Sequence, residues 1–334
     1  MRSLAAPLAI VVALTVLAAC AAAPPSAITI YSGRSEALVG PLIERFESQT
    51  GIQAEVRYGS TSELAALILE EGANTPADVY FAQDAGALGA VAAAGQLRTI
   101  PSELLNRVPE SYRSPDGQWV GLSGRARVVV YDSRELTAEQ LPTEIQGFTD
   151  PAWSGRLGWA PTNGSFQAFV TAFRLLKGDD AARAWLEGIQ ANDPVRFEEN
   201  ALIVQAVADG EIDAGFVNHY YLLKAISEQG ADFPVRNHFL GAGDPGALVN
   251  VAGAGILTPT DAEASARRFI EFMLSNESQA YFATQTFEYP LATGVAGPEE
   301  LPALDQIQSP ALDLSDLSDL QATLAMLNET GVLP

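Results

Sequence analysis

Apolar residues follow two kinds of pattern along the chain, short β-rich runs and stretches with helical spacing. Residues 28–31 form the first β-rich run, and apolar residues at helical spacing follow it until Gly51. The pattern repeats as an alternating strand at 52–58 and a helix at 63–71, and then as a strand at 78–81 before an Ala-rich helix. This order of strands and helices predicts a parallel sheet with helices on both faces.

A second α/β unit follows the apolar segment 126–131, whose sequence ARVVVY is typical of a strand buried in the centre of a sheet. Its predicted strands are 157–159 and 214–217, and its predicted helices are 166–176, 180–189 and 201–208. Two α/β units joined by long strands predict two lobes with a cleft between them. Ligands of open α/β sheets bind at the carboxyl ends of strands, so functional residues are expected in the strand-to-helix loops.

The part of the chain from residue 28 onwards is longer than a typical single domain, which also favours two lobes. We expect the first lobe to contain residues 28–125 and about 251–301. The second lobe is expected to contain residues 126–250 and about 302–334.

The first residues of the chain have the pattern of an export signal. Arg2 precedes an apolar run that is too short for a stable membrane span, so residues 1–19 are predicted to be a signal peptide. The run ends in Leu17-Ala18-Ala19-Cys20, which resembles the bacterial lipobox, where the cysteine is acylated. Cys20 is the only cysteine, so no intrachain disulfide is possible, and residues 20–27 are expected to form a tether. The alternative is an ordinary secretory signal that ends in a cysteine by chance.

The chain is strongly acidic, and this restricts its partners. It has 41 acidic and 19 basic residues, a formal net charge of −22. This balance argues against nucleic acid and anionic lipid as partners. A cationic cargo fits the sign of the charge, although strong acidity more often reflects solubility or a salty habitat than cargo.

Two adjacent tyrosines, Tyr220 and Tyr221, lie between the predicted strand 214–217 and a helix predicted over 222–229. A phenol oxygen becomes a hard anionic ligand once a trivalent metal displaces its proton, against a free pKa of about 10. A helix N-terminus helps to hold that negative charge. The alternative is that both rings are core and rim aromatics.

The segment Asn163-Gly164-Ser165 lies just before the predicted helix at 166–176. Backbone N–H groups at the start of a helix are unpaired and can bind an anion. The alternative is an ordinary helix cap, since Asn and Ser favour that position.

Seven segments, in order along the chain, form a recognisable set. They are Tyr31-Ser32-Gly33-Arg34, Ala77-Asp78-Val79, 123–131 (SGRARVVVY), 161–166 (PTNGSF), Asn218-His219-Tyr220-Tyr221, 244–248 (DPGAL) and Glu288-Tyr289-Pro290. Together they resemble the bacterial ferric-ion-binding proteins over nearly all of the chain after its leader. The resemblance implies the two-lobed type II periplasmic binding protein fold, an ATP-driven (ABC) permease as partner, and Fe(III) held in the interlobe cleft with a synergistic anion that is carbonate or phosphate-like.

The resemblance also assigns residues to the site. Tyr220 and Tyr221 match the pair that ligates iron, and the first lobe contributes Arg34, which could balance the charge of the anion. The residues that match the anion site are Asn163, Gly164, Ser165, Asn200 and Asn218.

The chain departs from the family at the first lobe. Some members have a histidine and a glutamate as further ligands where this chain has Ser35 and Gln83, and others have a third tyrosine where it has Phe166. Only two protein ligands are therefore expected, with the anion and water completing the coordination of iron. Arg125 is a second candidate to balance the anion, and a salt bridge is the alternative for this residue and for Arg34. His219 is expected to point outward or to support the tyrosines.

Other functions are less consistent with the sequence. The cleft could instead take an anion, a ferric chelate or a small organic solute that stacks on the tyrosines. An enzyme is not indicated, because there is no Gly-x-Ser-x-Gly, His-Glu-x-x-His or Walker motif and there are only two histidines. A passive envelope scaffold would not need the tyrosine pair. We therefore expect an exported monomer, lipid-anchored at the outer face of the cytoplasmic membrane or in the periplasm, that binds ferric iron.

Overall fold

The computed structural model describes residues 27–333, in which strands and helices alternate as the sequence pattern predicts. The strands are β1 (Ala27–Ser32), β2 (Gln53–Tyr58), β3 (Val79–Ala82), β4 (Trp119–Asp132), β5 (Leu157–Trp159), β6 (Val195–Arg196), β7 (Ala214–Asn218), β8 (Val235–His238), β9 (Val249–Ile256) and β10 (Tyr289–Pro290). The helices are α1 (Glu36–Thr50), α2 (Thr61–Glu71), α3 (Ala85–Ala93), α4 (Ser102–Leu105), α5 (Gly164–Lys177), α6 (Asp179–Ala191), α7 (Asn200–Asp209), α8 (Tyr220–Gln229), α9 (Glu263–Met273), α10 (Asn276–Gln285) and α11 (Leu320–Glu329).

The predicted signal peptide at residues 1–19, Cys20 and most of the predicted tether lie outside the described residues. Ala27, the last residue of the predicted tether, begins β1. None of the helices between residues 27 and 333 combines the length and the apolar character that a membrane span requires.

The strands follow the spatial order β2-β1-β3-β9-β4-β7-β5-β6, and β4 is shared between two groups of strands. Its first part pairs antiparallel with β9 between residues 119 and 126. Its second part pairs antiparallel with β7 between residues 127 and 131. The first group also contains the parallel β1, β2 and β3 and the short β10. The second group also contains the parallel β5 and β6 and the antiparallel β8.

Strand β4 is longer than the sequence pattern predicted. The prediction covered residues 126–131, whereas the strand begins at Trp119 and every one of its residues is buried. The missed part contains glycines and polar residues, which do not form an apolar run. Close packing requires a small residue there, because a Cβ added to Gly121 would lie 2.5 Å from the carbonyl oxygen of Tyr112.

Each group of strands has its own hydrophobic core. The first contains the edge-to-face pair Phe46 and Phe269, with ring centroids 5.3 Å apart. The second surrounds Trp185, whose ring centroid lies 5.3 Å from that of Phe169. The lobe boundaries remain a prediction, and the cores favour one change to them, because residues 307–317 pack in the first core, whereas α11 and Val332 pack in the second.

Helix α3 supplies a prediction about stability, because its Gly89 packs against the backbone of the segment 314–318. A Cβ at Gly89 would lie 2.3 Å from the Ser315 carbonyl oxygen. We expect Gly89→Ala to lower the free energy of unfolding by about 1–3 kcal/mol, because overpacking outweighs the helix propensity that alanine gains. Urea denaturation measures this difference.

Gly40 in α1 is the matched control, since the nearest atom to an added Cβ is the flexible Glu36 Cγ at 3.4 Å. Gly40→Ala should change stability by less than about 1 kcal/mol in either direction, because the helix propensity of alanine is opposed by the contact of its Cβ with the following Pro41. If Gly89→Ala is as stable as Gly40→Ala, the close contact between α3 and residues 314–318 is wrong.

Candidate metal centre

A cavity of about 250 Å³ lies between the two cores. One wall contains Gly33, residues 60–62, Gln83 and Asp84, which lie on the side of the first core. Arg125 of β4 and Asn250 of β9 also line the cavity. The opposite wall consists of residues 163–165, Asn218, Tyr220 and Tyr221. Most of the residues predicted for the site therefore meet in one cavity.

The tyrosine pair is placed by the turn from β7 into α8. Tyr220 is the first residue of α8, and the rings of Tyr220 and Tyr221 stack with centroids 4.3 Å apart. Burial in the cleft, together with the neighbouring Tyr221, raises the pKa of Tyr220 well above its usual value of 10.0, and Arg125 opposes this rise. Tyr220 is therefore protonated at neutral pH unless a strong Lewis acid displaces the proton.

The segment 163–165 caps helix α5 and lines the cavity as well. The side-chain oxygen of Asn163 accepts hydrogen bonds from the Ser165 N–H at 3.0 Å and from the Ser165 hydroxyl at 2.6 Å. Asn200 is fully buried, and its amide donates to the Ser165 hydroxyl at 3.1 Å. A Cβ added to Gly164 would meet no atom within 4 Å, so the backbone here is open to a ligand. The helix-cap alternative accounts for Asn163, and it leaves Gly164 free for an anion.

Arg34 does not lie in the cavity, contrary to the role in anion binding predicted for it. Its side chain is 2% exposed, and its Nη2 donates to both carboxylate oxygens of Glu288 at 2.9 Å. Ser123 also donates to Glu288, at 2.7 Å. The sequence could not reveal this pairing, because Glu288 is 254 residues away along the chain. Ser35 is exposed at the start of α1 and does not line the cavity either.

Gln83 and Arg125 do line the cavity and contact each other. Arg125 is 3% exposed, and its Nη2 donates to the backbone carbonyl oxygen of Gln83. Its Nε is buried without a hydrogen-bond partner in the described part of the chain. Arg125 therefore places a positive charge at the cleft, and the hydrogen-bonding capacity of its guanidinium is not fully used.

His219 does not point outward. Its side chain is fully buried, its Nδ1 accepts from the Ala126 N–H at 3.0 Å, and its Nε2 donates to the Phe287 carbonyl oxygen at 2.8 Å. Burial lowers the pKa of His219 to about 4, so the ring is neutral at physiological pH. The imidazole thus ties the start of the tyrosine turn to β4 and to the segment before β10, which is a supporting position.

Sequence reasoning missed Arg127, which is buried behind the cavity wall next to Ser165. The signal was present, because residues 125 and 127 are two positions apart on one strand and therefore lie on the same face. It also missed the hydroxyl groups of residues 60–62, where Ser60 caps helix α2.

Two further features help to define the site. Residues 27–333 contain no group of three or more His, Cys, Asp or Glu that could hold a metal. A larger cavity of about 660 Å³ lies along residues 289–297 and 303–312, and it shares no lining residue with the cleft. We assign the site to the smaller cavity, because only this one brings together the tyrosine pair and a helix N-terminus.

Comparison with known proteins agrees with this architecture. The family model for bacterial extracellular solute-binding proteins matches residues 62–317. The major ferric iron-binding protein of Neisseria meningitidis serogroup B is 33% identical over 327 residues, which cover 96% of this chain and 98% of the relative.

Two solved structures are similar over almost their whole length. Iron-bound HitA from Pseudomonas aeruginosa gives a TM-score of 0.85 at 34% identity and covers 92% of this chain and 100% of its own. IdiA (FutA) from Trichodesmium, in complex with iron and citrate ligands, gives a TM-score of 0.80 at 27% identity. The match covers 91% of this chain and 99% of the IdiA chain. The predicted α/β, two-lobed type II periplasmic binding protein fold is confirmed.

The buried ion pair beneath the cleft supplies a prediction about stability and pH. Burial alone would raise the pKa of Glu288, but Arg34 and Arg125 hold it below the usual value of 4.5. Glu288→Gln keeps the shape of the side chain and leaves Arg34 without a counter-charge. We expect a loss of about 3–5 kcal/mol in the free energy of unfolding at neutral pH, measured by urea denaturation.

The pH dependence of this loss follows from the lowered pKa. The contribution of a carboxylate with a lowered folded pKa is complete above its unfolded pKa and is lost as the pH falls through the folded pKa. The difference in the free energy of unfolding between the parent and Glu288→Gln should therefore become smaller in acid. Glu277→Gln is the control, because Glu277 forms an exposed ion pair with Arg45. This substitution should lower the free energy of unfolding by less than about 1 kcal/mol. Equal losses from the two variants would contradict the role of Glu288.

Proposed function

The chain belongs to the bacterial extracellular solute-binding proteins, and from that premise we propose that it captures Fe(III) for an ABC-type uptake system. The members of this family are solute-binding proteins and not enzymes, and they deliver their cargo to a permease. The observation that carries the proposal is the stacked pair Tyr220 and Tyr221 at the start of α8, which lines one cavity together with the N-terminus of α5.

The chemistry of the tyrosine pair suits a trivalent cation. Two phenolates offer hard, anionic oxygens and cancel two of the three charges of Fe(III). The raised pKa of Tyr220 means that a weakly polarising cation cannot displace its proton. The pair therefore favours Fe(III) over divalent ions, and acid should release the metal because protons compete for the phenolates.

A small oxyanion such as carbonate or phosphate completes the proposed site. Its binding surface would be the start of α5 at Gly164 and Ser165, with the Asn218 amide beside it. Asn200 would act indirectly, because its amide holds the Ser165 hydroxyl. The wall from the first core offers Gln83 and hydroxyl groups in place of the family's histidine and glutamate, so the anion and water would fill the remaining positions on iron.

The wall from the first core favours one variant of the proposal, in which the cargo is a ferric chelate. Its one carboxylate, Asp84, accepts a hydrogen bond from the Ala87 N–H and caps α3. The hydroxyl groups of residues 60–62 and the amide of Gln83 are hydrogen-bonding groups and not metal ligands of choice. IdiA from Trichodesmium was solved with iron and citrate ligands. Mass spectrometry of the purified, iron-loaded protein distinguishes the two cargoes, because a chelate adds a stoichiometric organic acid.

We further propose that the protein acts as a monomer, held outside the cytoplasmic membrane by a lipid on Cys20. The support for the anchor is the sequence Leu17-Ala18-Ala19-Cys20 at the end of an apolar leader. Anchoring keeps the binding protein close to its permease, which raises its effective concentration there.

Removal of the phenol oxygens tests the iron site. Tyr220→Phe and Tyr221→Phe keep the aromatic bulk and the stacking, so we expect the fold to remain intact. The double variant should lose the visible tyrosinate-to-iron absorption and bind Fe(III) more than about 100-fold more weakly. Absorption spectra and metal analysis by mass spectrometry, at matched anion and pH, measure both effects.

Tyr281→Phe is the matched control, because the Tyr281 hydroxyl donates to the Leu38 carbonyl oxygen at 3.0 Å, away from the cleft. It should cost about 1 kcal/mol of stability and leave iron binding unchanged. If the double variant holds Fe(III) as tightly as the parent, the tyrosines are packing residues and an organic solute becomes the better proposal.

The lipid anchor has a separate test. Cys20→Ser removes the thiol that would be acylated, so the protein should leave the membrane fraction or keep its leader, as judged by fractionation and intact mass. Ala23→Ser, which leaves Leu17-Ala18-Ala19-Cys20 unchanged, should behave as the parent does. Membrane association of Cys20→Ser equal to that of the parent would exclude the anchor.

A further inference from the structure

Arg127 is a buried cation without a carboxylate partner among the ion pairs of residues 27–333. It is 4% exposed, and its guanidinium carbon lies 5.8 Å from the ring centroid of Phe166 and 5.4 Å from that of Phe169. Arg34 is buried to a similar extent but has Glu288. A buried charge is costly unless it is paired, so this exception requires an explanation.

The two hydrogen bonds of Arg127 join the interior to the anion loop. Its Nη2 donates to the Phe216 carbonyl oxygen at 3.1 Å, and its Nη1 donates to the Ser165 hydroxyl at 3.3 Å. On β4 it pairs in register with Asn218, whose side chain lines the cavity. Arg127 therefore lies directly behind the wall that Ser165 and Asn218 form.

In the empty cleft, the charges of the surrounding side chains have a positive sum. Burial lowers the pKa of Arg127 to about 9, which leaves it charged at neutral pH. Arg125 is a second cation at the cavity, and Asp84 is the carboxylate that lines it. Glu288 is already paired with Arg34 and does not offset these cations. The cleft thus has an excess positive charge in a chain whose net charge is −22.

We propose that Arg127 is the buried counter-charge of the anion site and positions Ser165 from behind. The ligand class is a small oxyanion, carbonate or phosphate, bound at residues 163–165. Because Arg127 is charged before any metal arrives, its contribution to the affinity for the anion is measurable in the iron-free protein. This inference rests on the proposed function for the role of the metal, but not for the binding of the anion.

A purely structural role for Arg127 is the alternative. The guanidinium could serve only as packing between Phe166 and Phe169. Replacement by methionine would then change stability without changing the affinity for an anion. A buried charge replaced by an apolar side chain of similar length is often neutral or stabilising, so Arg127→Met is a suitable variant.

The test uses the iron-free protein and inorganic phosphate. Calorimetry and the shift of the melting temperature with phosphate should show binding to the parent, and Arg127→Met should bind phosphate about tenfold or more weakly. Arg127→Lys keeps the charge without the planar fork and should bind with intermediate affinity. With Fe(III) and phosphate together, the tyrosinate-to-iron band of Arg127→Met should shift, because water replaces the anion on iron.

Arg156→Met is the matched control. Arg156 also stacks on an aromatic ring, 5.0 Å from the centroid of Trp153, and its partner is Asp213 outside the cleft. Arg156→Met removes one positive charge from the chain, as Arg127→Met does, and should leave the affinity for phosphate unchanged. If Arg127→Met does not fold, Arg127→Gln, which can still donate to the Phe216 carbonyl oxygen, replaces it.

Two outcomes overturn the inference: the iron-free parent does not bind phosphate, or the folded Arg127 variant binds phosphate as tightly as the parent. Failure of the proposed function looks different. In that case the parent binds phosphate in an Arg127-dependent manner but takes up no Fe(III).

Discussion

The pairing of one long strand, β4, with partners from both cores is the constraint on which the site depends. Its first half pairs with β9 and its second half pairs with β7, so a single backbone fixes the spacing between the two walls of the cleft. Arg125 and Arg127 lie two positions apart on this strand, one at the cavity and one behind its wall. His219 is held to the same strand through Ala126, which places the start of α8 and its tyrosines.

The local balance of charge, and not the net charge of the chain, determines what this cleft can bind. The acidic residues outnumber the basic ones by 41 to 19 and lie mostly on the surface. The charges that are buried under the cleft are few and have specific partners. Glu288 neutralises Arg34 in the interior, and this leaves Arg125 and Arg127 to act on the cavity. An anion at the cleft is therefore compatible with a strongly acidic protein, because buried pairs are screened less than surface charges.

Much of the fold could be predicted from the sequence, because its periodicity is local. The strands around residues 28–31 and 214–217 and the helices that follow them occur within a few residues of their predicted bounds. The first half of β4 was missed, since close packing there requires glycine and not an apolar run. Contacts between distant segments could not be predicted from local sequence patterns. Arg34 was therefore expected in the site, whereas its side chain binds Glu288. His219 was expected to point outward or to support the tyrosines, and its contacts with Ala126 and Phe287 correspond to the supporting position.

The high pKa of Tyr220 connects selectivity with release. Arg125 at the cavity and Arg127 behind its wall repel cations. Under the proposed function, a metal therefore enters only if its bond to the Tyr220 phenolate outweighs the cost of removing the proton from that residue. An anion bound at the proposed site would lower this barrier, because it offsets the positive charge of Arg125 and Arg127. The same balance of charge would govern release of the metal. In the proposed site, loss of the anion or return of a proton to Tyr220 restores the repulsion between the cleft and a cation.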